Sequence, residues 1–241
     1  MDIRLLKAMV IGDGSLDVKR CTGNVNARLK INHGVKQKDY LLWKRDLLTA
    51  SGLKTWYGEI QNTVNPHTGK KGTLCWLESG ADPVLTVLRD LLYPKSEGFK
   101  PGVLEDFDAL HLAIIFMDDG CKQVNKKVTS WENGKRKRVD VDPYIASFNF
   151  ALQSHGFSGA HQFCDWLRWK FGIHAAVWKQ AGQPKVAVYR NEEKEKFRSL
   201  IAPYVHSCVA YKLDGTFHAH MTHRERLSER TPEGSTGDAK V

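Results

Sequence analysis

The chain lacks the features that mark membrane, secreted or disulfide-stabilised proteins. No apolar run in its 241 residues approaches the ~18 residues that a membrane span needs. The start Met1-Asp2-Ile3-Arg4 carries an acid and no long apolar stretch follows it, so we expect no secretory signal. The five cysteines are widely spaced, without a Cys-x-x-Cys pair, which argues against a disulfide framework or a zinc knuckle. We therefore expect reduced thiols in an intracellular protein.

Acidic residues are the scarcer charge. The 27 Asp and Glu residues face 36 Lys and Arg, which gives a formal net charge of +9. This excess of base suggests a polyanionic partner, either nucleic acid or an anionic surface. No basic amphipathic helix is evident, so a membrane partner is not expected. The hydrophobic content of 41% excludes a disordered chain, and the length fits one large or two small domains.

An internal repeat organises the sequence. Leu6–Gly14 and Leu112–Gly120 are both apolar, helix-like runs that end in Asp-Gly, and their aspartates lie 106 residues apart. Alternating and helical patterns follow each run in the same order. The first half shows Asn24–Asn32, Gln37–Ala50, Thr55–Val64, Thr73–Ser79 and a helix capped by Asp82 with Pro83 at its first position. The second half shows Tyr144–Leu152, Ser158–Phe171, Ile173–Gln180, Lys185–Arg190 and a helix capped by Asn191.

This order predicts an α+β fold of two pseudo-symmetric halves. Each half is an antiparallel sheet covered on one face by helices, and packed motif helices join the two. We place the N-terminal half at residues 1–101, with a linker from about 94, and the C-terminal half at 102–216. The basic segment Lys122–Arg138, which is extra in the second half, is predicted to be a long hairpin tip. Residues 217–241 are polar without periodicity, so we expect a disordered tail.

The two motif ends predict a metal site. Each aspartate directly precedes Gly14 or Gly120, where we expect the helix to end in a left-handed conformation. A carboxylate there opposes the helix dipole, so its presence at matched repeat positions indicates a functional need. If the motif helices pack together, Asp13 and Asp119 meet near a pseudo-two-fold axis, and a divalent cation relieves their repulsion. Carboxylate and water ligands suit Mg²⁺, which stabilises phosphoryl oxygens and activates water.

The sequence resembles the single-chain, two-motif LAGLIDADG homing endonucleases over about residues 5–214. The resemblance rests on Phe116-Met117-Asp118-Asp119-Gly120, which is typical of an intron-encoded group, and on the endings Leu200–Tyr204 and Tyr211–Leu213. The first motif is looser, with Lys7 at a position that is usually small or apolar and Gly12 before the acid. The resemblance implies a monomeric DNA endonuclease that cuts both strands of a long asymmetric site across the minor groove. It also implies 3′ overhangs, water as the nucleophile and no covalent intermediate.

The same resemblance implies the metal ligands. The last acid of each motif, Asp13 or Asp119, would hold Mg²⁺, with Mn²⁺ as a plausible substitute. The carbonyls of Gly12 and Asp118 are further candidate ligands. For the side chain of Asp118, a helix-end hydrogen-bond acceptor is the alternative to a catalytic role.

Two catalytic lysines are also implied by the resemblance. Lys212 falls on the lysine of the second half. The first-half lysine precedes a proline ahead of the second motif, and Lys100-Pro101 fits this pattern best. Lys95 remains the alternative. These lysines would polarise water or phosphate beside the metals.

We expect the sheets to read DNA, because side chains of an antiparallel sheet alternate faces and can enter the major groove. Arg can pair with guanine and Asn with adenine in that groove. In the first half, one face of the predicted strand carries Asn24, Asn26, Arg28, Lys30 and Asn32. In the second half, the candidates are His174, Trp178, Gln180, Lys185 and Tyr189. Phosphates are expected to bind basic residues of the hairpin tip, including Lys135 and Lys137.

Two other functions stay open at the sequence level. The same fold can serve as an RNA maturase for its host intron, or as a catalytically inactive DNA-binding module. Both motif acids are retained, which favours cleavage. We expect no intein, since the sequence starts with Met1 and ends in a polar tail. The expected location is the cytoplasm of a bacterial or phage-infected host, or an organelle.

Overall fold

A computed structural model describes residues 1–18, 25–64, 69, 71–132 and 135–217. Its first half contains α1 (Ile3–Ile11), β1 (Gly14–Asp17), β2 (Arg28–Gly34), α2 (Lys38–Ala50), β3 (Thr55–Val64), β4 (Lys71–Ser79) and α3 (Pro83–Leu92). Its second half contains α4 (Ala109–Asp119), β5 (Gly120–Glu132), β6 (Lys135–Phe150), α5 (Gly156–Phe171), β7 (Ala176–Gln180), β8 (Gln183–Val188) and α6 (Asn191–Ile201). The identical αββαββα order confirms the repeat.

Each half forms one four-stranded antiparallel sheet of the same topology, β1-β2-β4-β3 and β5-β6-β8-β7. Gly14 pairs with Ile31 and Gly120 with Phe150, so the strand registers align the two repeats. The predicted fold class is therefore confirmed. Strand β8 pairs with β6 only from Phe148 to Phe150, so the rest of β5 and β6 extends as a two-stranded hairpin, as predicted.

The motif helices α1 and α4 pack against each other between the halves. Their side chains are almost all buried because both faces of each helix are covered. Lys7 of α1 and His111 of α4 are polar side chains among these buried residues. The Lys7 ammonium lies 2.6 Å from the Asp106 carboxylate and 5.1 Å from the centre of the Phe107 ring. This pairing explains how a lysine occupies an apolar position of the motif.

The prediction of left-handed glycines at the motif ends is wrong. Gly120 has φ −86° and ψ 150° and opens β5, while Gly14 opens β1, and neither has a positive φ. Crowding is the reason for glycine instead. A Cβ atom on Gly14 would overlap the carbonyl oxygen of Met9, and one on Gly120 would overlap Phe116. Glycine thus lets each strand leave directly beside its motif helix.

Most predicted helices and strands are present, but β2 begins at Arg28 rather than Asn24, and β6 begins at Lys135 rather than Tyr144. Asp82 caps α3 by accepting a hydrogen bond from the Val84 amide at 2.8 Å, as predicted. Asn191 is not the cap of α6; it is the first helical residue, and Arg190 precedes it in extended conformation. The described chain ends at Phe217, whose ring lies 4.1 Å from the Arg198 guanidinium, and the predicted tail after it lies outside the described residues. None of the described helices is long and apolar enough to cross a membrane.

Candidate active site at the junction of the halves

The ends of α1 and α4 bring together Asp13, Asp118 and Asp119. Burial, and after it the neighbouring charges of Asp13 and Asp118, raise the pKa of Asp119 to about 7. Burial and Asp118 also raise the pKa of Asp13. The carboxylates of Asp13 and Asp119, whose ionisation is disfavoured, form a site that a divalent cation would stabilise. All donors are oxygens, which fits Mg²⁺.

The two aspartates of the repeat are held differently. Asp119 is the last residue of α4, and its carbonyl also accepts a hydrogen bond from the Ala151 amide at 2.9 Å. The helix α1 already ends at Ile11, so Asp13 lies two residues beyond the helix. Its side chain is 35% exposed. The position of Asp13 therefore depends on tertiary contacts.

Lys95 and Lys212 flank the carboxylates in a pseudo-symmetric way. The Lys95 ammonium donates to the Val10 carbonyl of α1 at 2.5 Å, and the Lys212 ammonium donates to the Met117 carbonyl of α4 at 2.5 Å. Each lysine thus satisfies a carbonyl at the negative end of a motif helix. Burial lowers the pKa of both lysines, while the charges of Asp13 and Asp119 oppose that shift.

Lys100 does not join this cluster. Its ammonium donates to the Asp90 carbonyl at 2.5 Å and to the Tyr93 carbonyl at 3.3 Å, at the exposed end of α3. The geometry therefore favours Lys95, the alternative that the sequence left open, as the candidate lysine of the first half. The proline spacing misled because Pro94 and Pro101 both follow α3, and only the fold shows which lysine turns inward.

Asp118 lies in a buried polar cluster rather than facing the junction freely. Its carboxylate accepts hydrogen bonds from the Lys44 ammonium at 2.5 Å, the Tyr40 hydroxyl at 2.8 Å and the Asp13 amide at 3.3 Å. Its carbonyl accepts from the Lys212 ammonium at 3.2 Å. The side chains of Asp118 and Lys44 are both fully buried. The carboxylate and the carbonyl of Asp118, through which it was expected to bind a metal, therefore both accept hydrogen bonds from lysine ammonium groups.

His33 completes this cluster as a neutral side chain. Burial and the adjacent Lys44 lower the pKa of His33 to about 4. Its Nδ1 lies 3.6 Å from the Asp13 carboxylate and 3.1 Å from the Gln37 amide oxygen. Asp13, His33 and Asp118 offer ligand atoms within 4.8 Å of one another, but the Lys44 ammonium 3.2 Å from His33 Nε2 opposes a second cation there. Asp13 and Asp119 remain the better candidate ligands.

The sequence analysis missed Lys44 and His33, although both left a signal. Lys44 lies four residues after Tyr40 and four before Leu48, so it falls within the buried stripe of α2. His33 continues the buried alternation of β2 after Ile31. A polar residue on an apolar face indicates a buried partner, but nothing in the sequence identifies Asp118 as that partner.

The open face of the first sheet carries three of the predicted DNA-contacting residues. Arg28, Lys30 and Asn32 alternate along β2 with the buried side chains of Leu29 and Ile31. The guanidinium of Arg28 lies 3.3 Å from the carboxylate of its neighbour on β4, Glu78. Arg28 must therefore exchange this partner for a base before it can read one.

Two other candidates, Asn26 of the first half and His174 of the second, differ in place from the sequence prediction. Asn24 lies outside the described residues. Asn26 precedes β2, and its side-chain oxygen accepts a hydrogen bond from the Thr86 hydroxyl at 3.3 Å, which ties it to α3. His174 precedes β7, which starts at Ala176, and its amide donates to the Glu193 carboxylate at 3.0 Å. Asn26 and His174 are thus loop residues beside the sheets rather than members of strands.

The second sheet presents the remaining candidates together. Trp178 and Lys185 are directly paired between β7 and β8, and the Lys185 ammonium donates to the Gln180 side chain at 3.1 Å. The rings of Trp178 and Tyr189 lie 5.7 Å apart. This patch offers aromatic faces and amide groups to a groove.

Lys135 and Lys137 lie far out on the β5–β6 hairpin and are exposed. Lys137 makes an exposed ion pair with Glu132 at 2.8 Å. Such a pair is weak in water and is readily exchanged for a phosphate. The contact of these lysines with DNA stays a prediction.

Comparisons with solved structures show the fold. The structure of the homing endonuclease I-WcaI bound to its DNA recognition sequence matches with a TM-score of 0.64 at 19% identity, over 90% of this chain and 86% of that one. The LAGLIDADG meganuclease I-AabMI bound to uncleaved DNA matches with a TM-score of 0.50 at 12% identity, over 88% of each chain.

Curated proteins that resemble this chain are longer than it is. Protein RecA of Mycobacterium gastri is 28% identical over 214 residues, which is 87% of this chain and 46% of that protein. Protein RecA of Mycolicibacterium flavescens is 27% identical over 228 residues, which is 92% of this chain and 48% of that protein. The chain therefore spans about half the length of the curated relatives it matches.

A family assignment follows from the sequence profile. Residues 5–197 match the profile of the LAGLIDADG DNA endonuclease family, and this span includes both Asp-Gly motifs and both sheets. The pseudo-symmetric fold and the two packed motif helices agree with it. The chain belongs to the LAGLIDADG DNA endonuclease family.

Proposed function

We propose that this protein is a site-specific DNA endonuclease that makes a metal-dependent double-strand break in a long, asymmetric duplex site. The observation that carries the proposal is the junction itself. Asp13 and Asp119 come from the two repeats, and Lys95 and Lys212 flank them on buried stems. Family membership and the likeness to two DNA-bound endonucleases support the same reading.

Asp13 and Asp119 are the proposed ligands of Mg²⁺, with Mn²⁺ as a substitute. The fit rests on their raised pKa values, because two partly buried carboxylates that repel each other gain most from a cation. When bound, the metal supplies Lewis-acid stabilisation of the phosphoryl oxygens and lowers the pKa of water. The resemblance stated above supplies the rest of the reaction, namely a water nucleophile and 3′ overhangs.

Lys95 and Lys212 are proposed to stabilise negative charge on the scissile phosphates. Each ammonium is fixed by a carbonyl of its own motif helix, so little reorganisation is needed when charge develops. Partial burial strengthens this electrostatic effect, since the local dielectric constant is lower than in water.

The open faces of the two sheets are proposed to read the two halves of the site. They project side chains of different chemistry, charged and amide on β2 and aromatic on β7, so the target is expected to be asymmetric. The basic hairpin adds phosphate contacts, which raise affinity without sequence information.

The test is capture of DNA ends. Genomic DNA from a strain that lacks this gene is incubated with the purified chain in Mg²⁺, and new ends are ligated to adaptors and sequenced. A recurring pair of ends with 3′ overhangs is expected in Mg²⁺ and not in EDTA. Asp119→Asn should abolish the ends, whereas Asp90→Asn, a change of an exposed helix-end aspartate, should not.

Two outcomes would contradict the proposed metal site or the proposed cleavage of DNA. Ends that persist in EDTA, or with Asp119→Asn, would overturn the assignment of the metal site. Tight binding of structured RNA without any captured ends would favour the maturase alternative instead.

A further inference from the structure

The buried cluster around Asp118 joins the two halves of the protein. Asp118 belongs to α4 of the second half, whereas Tyr40 and Lys44 belong to α2 and His33 to β2 of the first half. The Lys44 ammonium donates to Asp118 at 2.5 Å and to His33 Nε2 at 3.2 Å, and it lies 4.5 Å from the centre of the Tyr40 ring. We call these four residues the Asp118 cluster.

The Asp118 cluster has no polar counterpart in the other repeat. Gly12 occupies the position that corresponds to Asp118 in the first motif. Ile31 pairs with Gly14 and Phe150 pairs with Gly120, so Ile31 and Phe150 are equivalent positions of the two repeats. His33 and Leu152 each lie two residues further along and are therefore counterparts.

The same comparison applies to α2 and α5. The buried residues of α2 are Tyr40, Leu41, Lys44 and Leu48, and the same spacing recurs in α5 at Gly159, Ala160, Phe163 and Leu167, with Trp166 buried in addition. The counterparts of Tyr40 and Lys44 are therefore Gly159 and Phe163. The two halves share a backbone fold but differ in the side chains at the Asp118 cluster.

Gly12 and Asp118 also share one space. A Cβ atom on Gly12 would overlap the Asp118 carboxyl group, so the carboxylate fills the volume that a side chain in the first motif would need. From there its Oδ2 atom accepts the Asp13 amide at 3.3 Å. Asp13 lies past the end of α1, so this contact fixes a backbone that no helix holds. Asp119 needs no such contact because it is the last residue of α4.

We propose that Asp118 and Lys44 are positioning residues that hold the Asp13 backbone from the opposite half of the molecule. In the terms of the proposed function, on which this inference rests, they serve only one of the two strand cleavages. Lys44 keeps the Asp118 carboxylate in place, and Asp118 in turn places Asp13. Loss of the Lys44–Asp118 pair should leave the backbone at Asp119 ordered and should disorder the backbone at Asp13.

The first readout needs neither metal nor DNA. Lys44→Met combined with Asp118→Ala removes the acceptor of the Asp13 amide and leaves neither buried charge without its partner. Hydrogen exchange of peptides that cover residues 12–14 should then be faster by on the order of 10-fold, whereas peptides that cover 119–121 should be unchanged. Lys44→Met combined with Asp118→Asn keeps an acceptor oxygen at the same place and should restore slow exchange.

The matched control changes Lys7, a buried lysine of α1 that also pairs with an aspartate. Lys7 lies 2.6 Å from Asp106, so Lys7→Met combined with Asp106→Ala makes the same two kinds of substitution at another lysine–aspartate pair. It is expected to lower overall stability to a similar degree without changing exchange at residues 12–14. A general loss of stability would speed hydrogen exchange at residues 12–14 equally in both double variants.

The second readout is strand-specific cleavage of a duplex labelled on both strands. The Lys44→Met/Asp118→Ala variant should slow hydrolysis of one strand by ~10- to 100-fold, the range expected for a misplaced group, and should accumulate nicked product. The other strand should change by less than about threefold, within the ordinary spread of such effects. The Lys7→Met/Asp106→Ala control should keep the wild-type ratio of the two strands.

The outcomes separate this inference from the proposed function. Equal slowing of both strands, or unchanged exchange at residues 12–14, would overturn the positioning role even if the wild type cleaves DNA. A wild type that cleaves no DNA would overturn the proposed function, and the exchange measurement alone would still decide whether Asp118 holds Asp13.

Discussion

Replacing Asp119 by asparagine should stabilise the metal-free protein at pH 8 while abolishing cleavage. The reason is that the carboxylate of Asp119 is ionised there in a buried site beside Asp13 and Asp118. Asparagine has nearly the same shape and no charge, so it removes this repulsion. A carboxylate that destabilises the metal-free fold is consistent with a metal-binding role.

The magnitude follows from the pKa. It rises from the ordinary value of 3.8 to about 7, and one pKa unit corresponds to about 1.36 kcal/mol. Below pH 3.8 the folded and unfolded states are both protonated, and the group has no effect. Between pH 3.8 and 7 only the folded state keeps the proton, so the free energy of unfolding falls as the pH rises. Above pH 7 the full penalty of about 4 kcal/mol applies, and we expect the variant to recover about 2 to 4 kcal/mol of it.

Urea unfolding in EDTA at pH 5 and pH 8 measures this effect. The gain of Asp119→Asn over the wild type should be larger at pH 8 than at pH 5. Mg²⁺ at about ten times its dissociation constant should stabilise the wild type by about 1.4 kcal/mol and leave the variant unchanged. The exposed helix-end change Asp90→Asn serves as the control. An Asp119→Asn protein that is no more stable than the wild type at pH 8 would refute the reasoning.

Lys95→Met or Lys212→Met should each lower the single-turnover cleavage rate by ~10²-fold with little loss of DNA affinity. Lys100→Met should leave that rate unchanged. A large loss of cleavage rate in Lys100→Met would contradict the assignment of Lys95. Arg28→Ala should cost about 1–3 kcal/mol at one base position and relax preference there, as measured on a panel of single-base target variants. Lys135→Ala should instead weaken binding to every target about equally and reduce the salt slope by roughly 1. A uniform loss for Arg28→Ala would mean that β2 holds the backbone rather than reading bases.

The sequence by itself determined the repeat, the order of elements and the pair Asp13 and Asp119. These features are local: apolar spacing defines helices and strands, and Asp82 with Pro83 marks where α3 begins. The alternation along β2 also fixed which side chains face outward, because a shift by one residue would expose its buried set.

Only the tertiary structure decided which lysines join the site. Lys95 and Lys100 both follow α3 in the segment before the second motif. The Lys95 ammonium reaches the Val10 carbonyl, while the Lys100 ammonium turns back to the Asp90 carbonyl. Likewise, the glycines of both motifs looked like helix caps, yet they are there because a strand leaves beside a helix. Local sequence carries no record of such packing.

The Asp118 cluster depends most on the tertiary fold. Lys44 and Asp118 are 74 residues apart in the chain, and their ammonium and carboxylate meet at 2.5 Å without exposure to water. A lysine on an apolar stripe signals that some partner exists, since an unpaired buried charge is too costly. Which carboxylate it pairs with is set by how the two halves pack against each other, and that packing is not encoded in any local pattern.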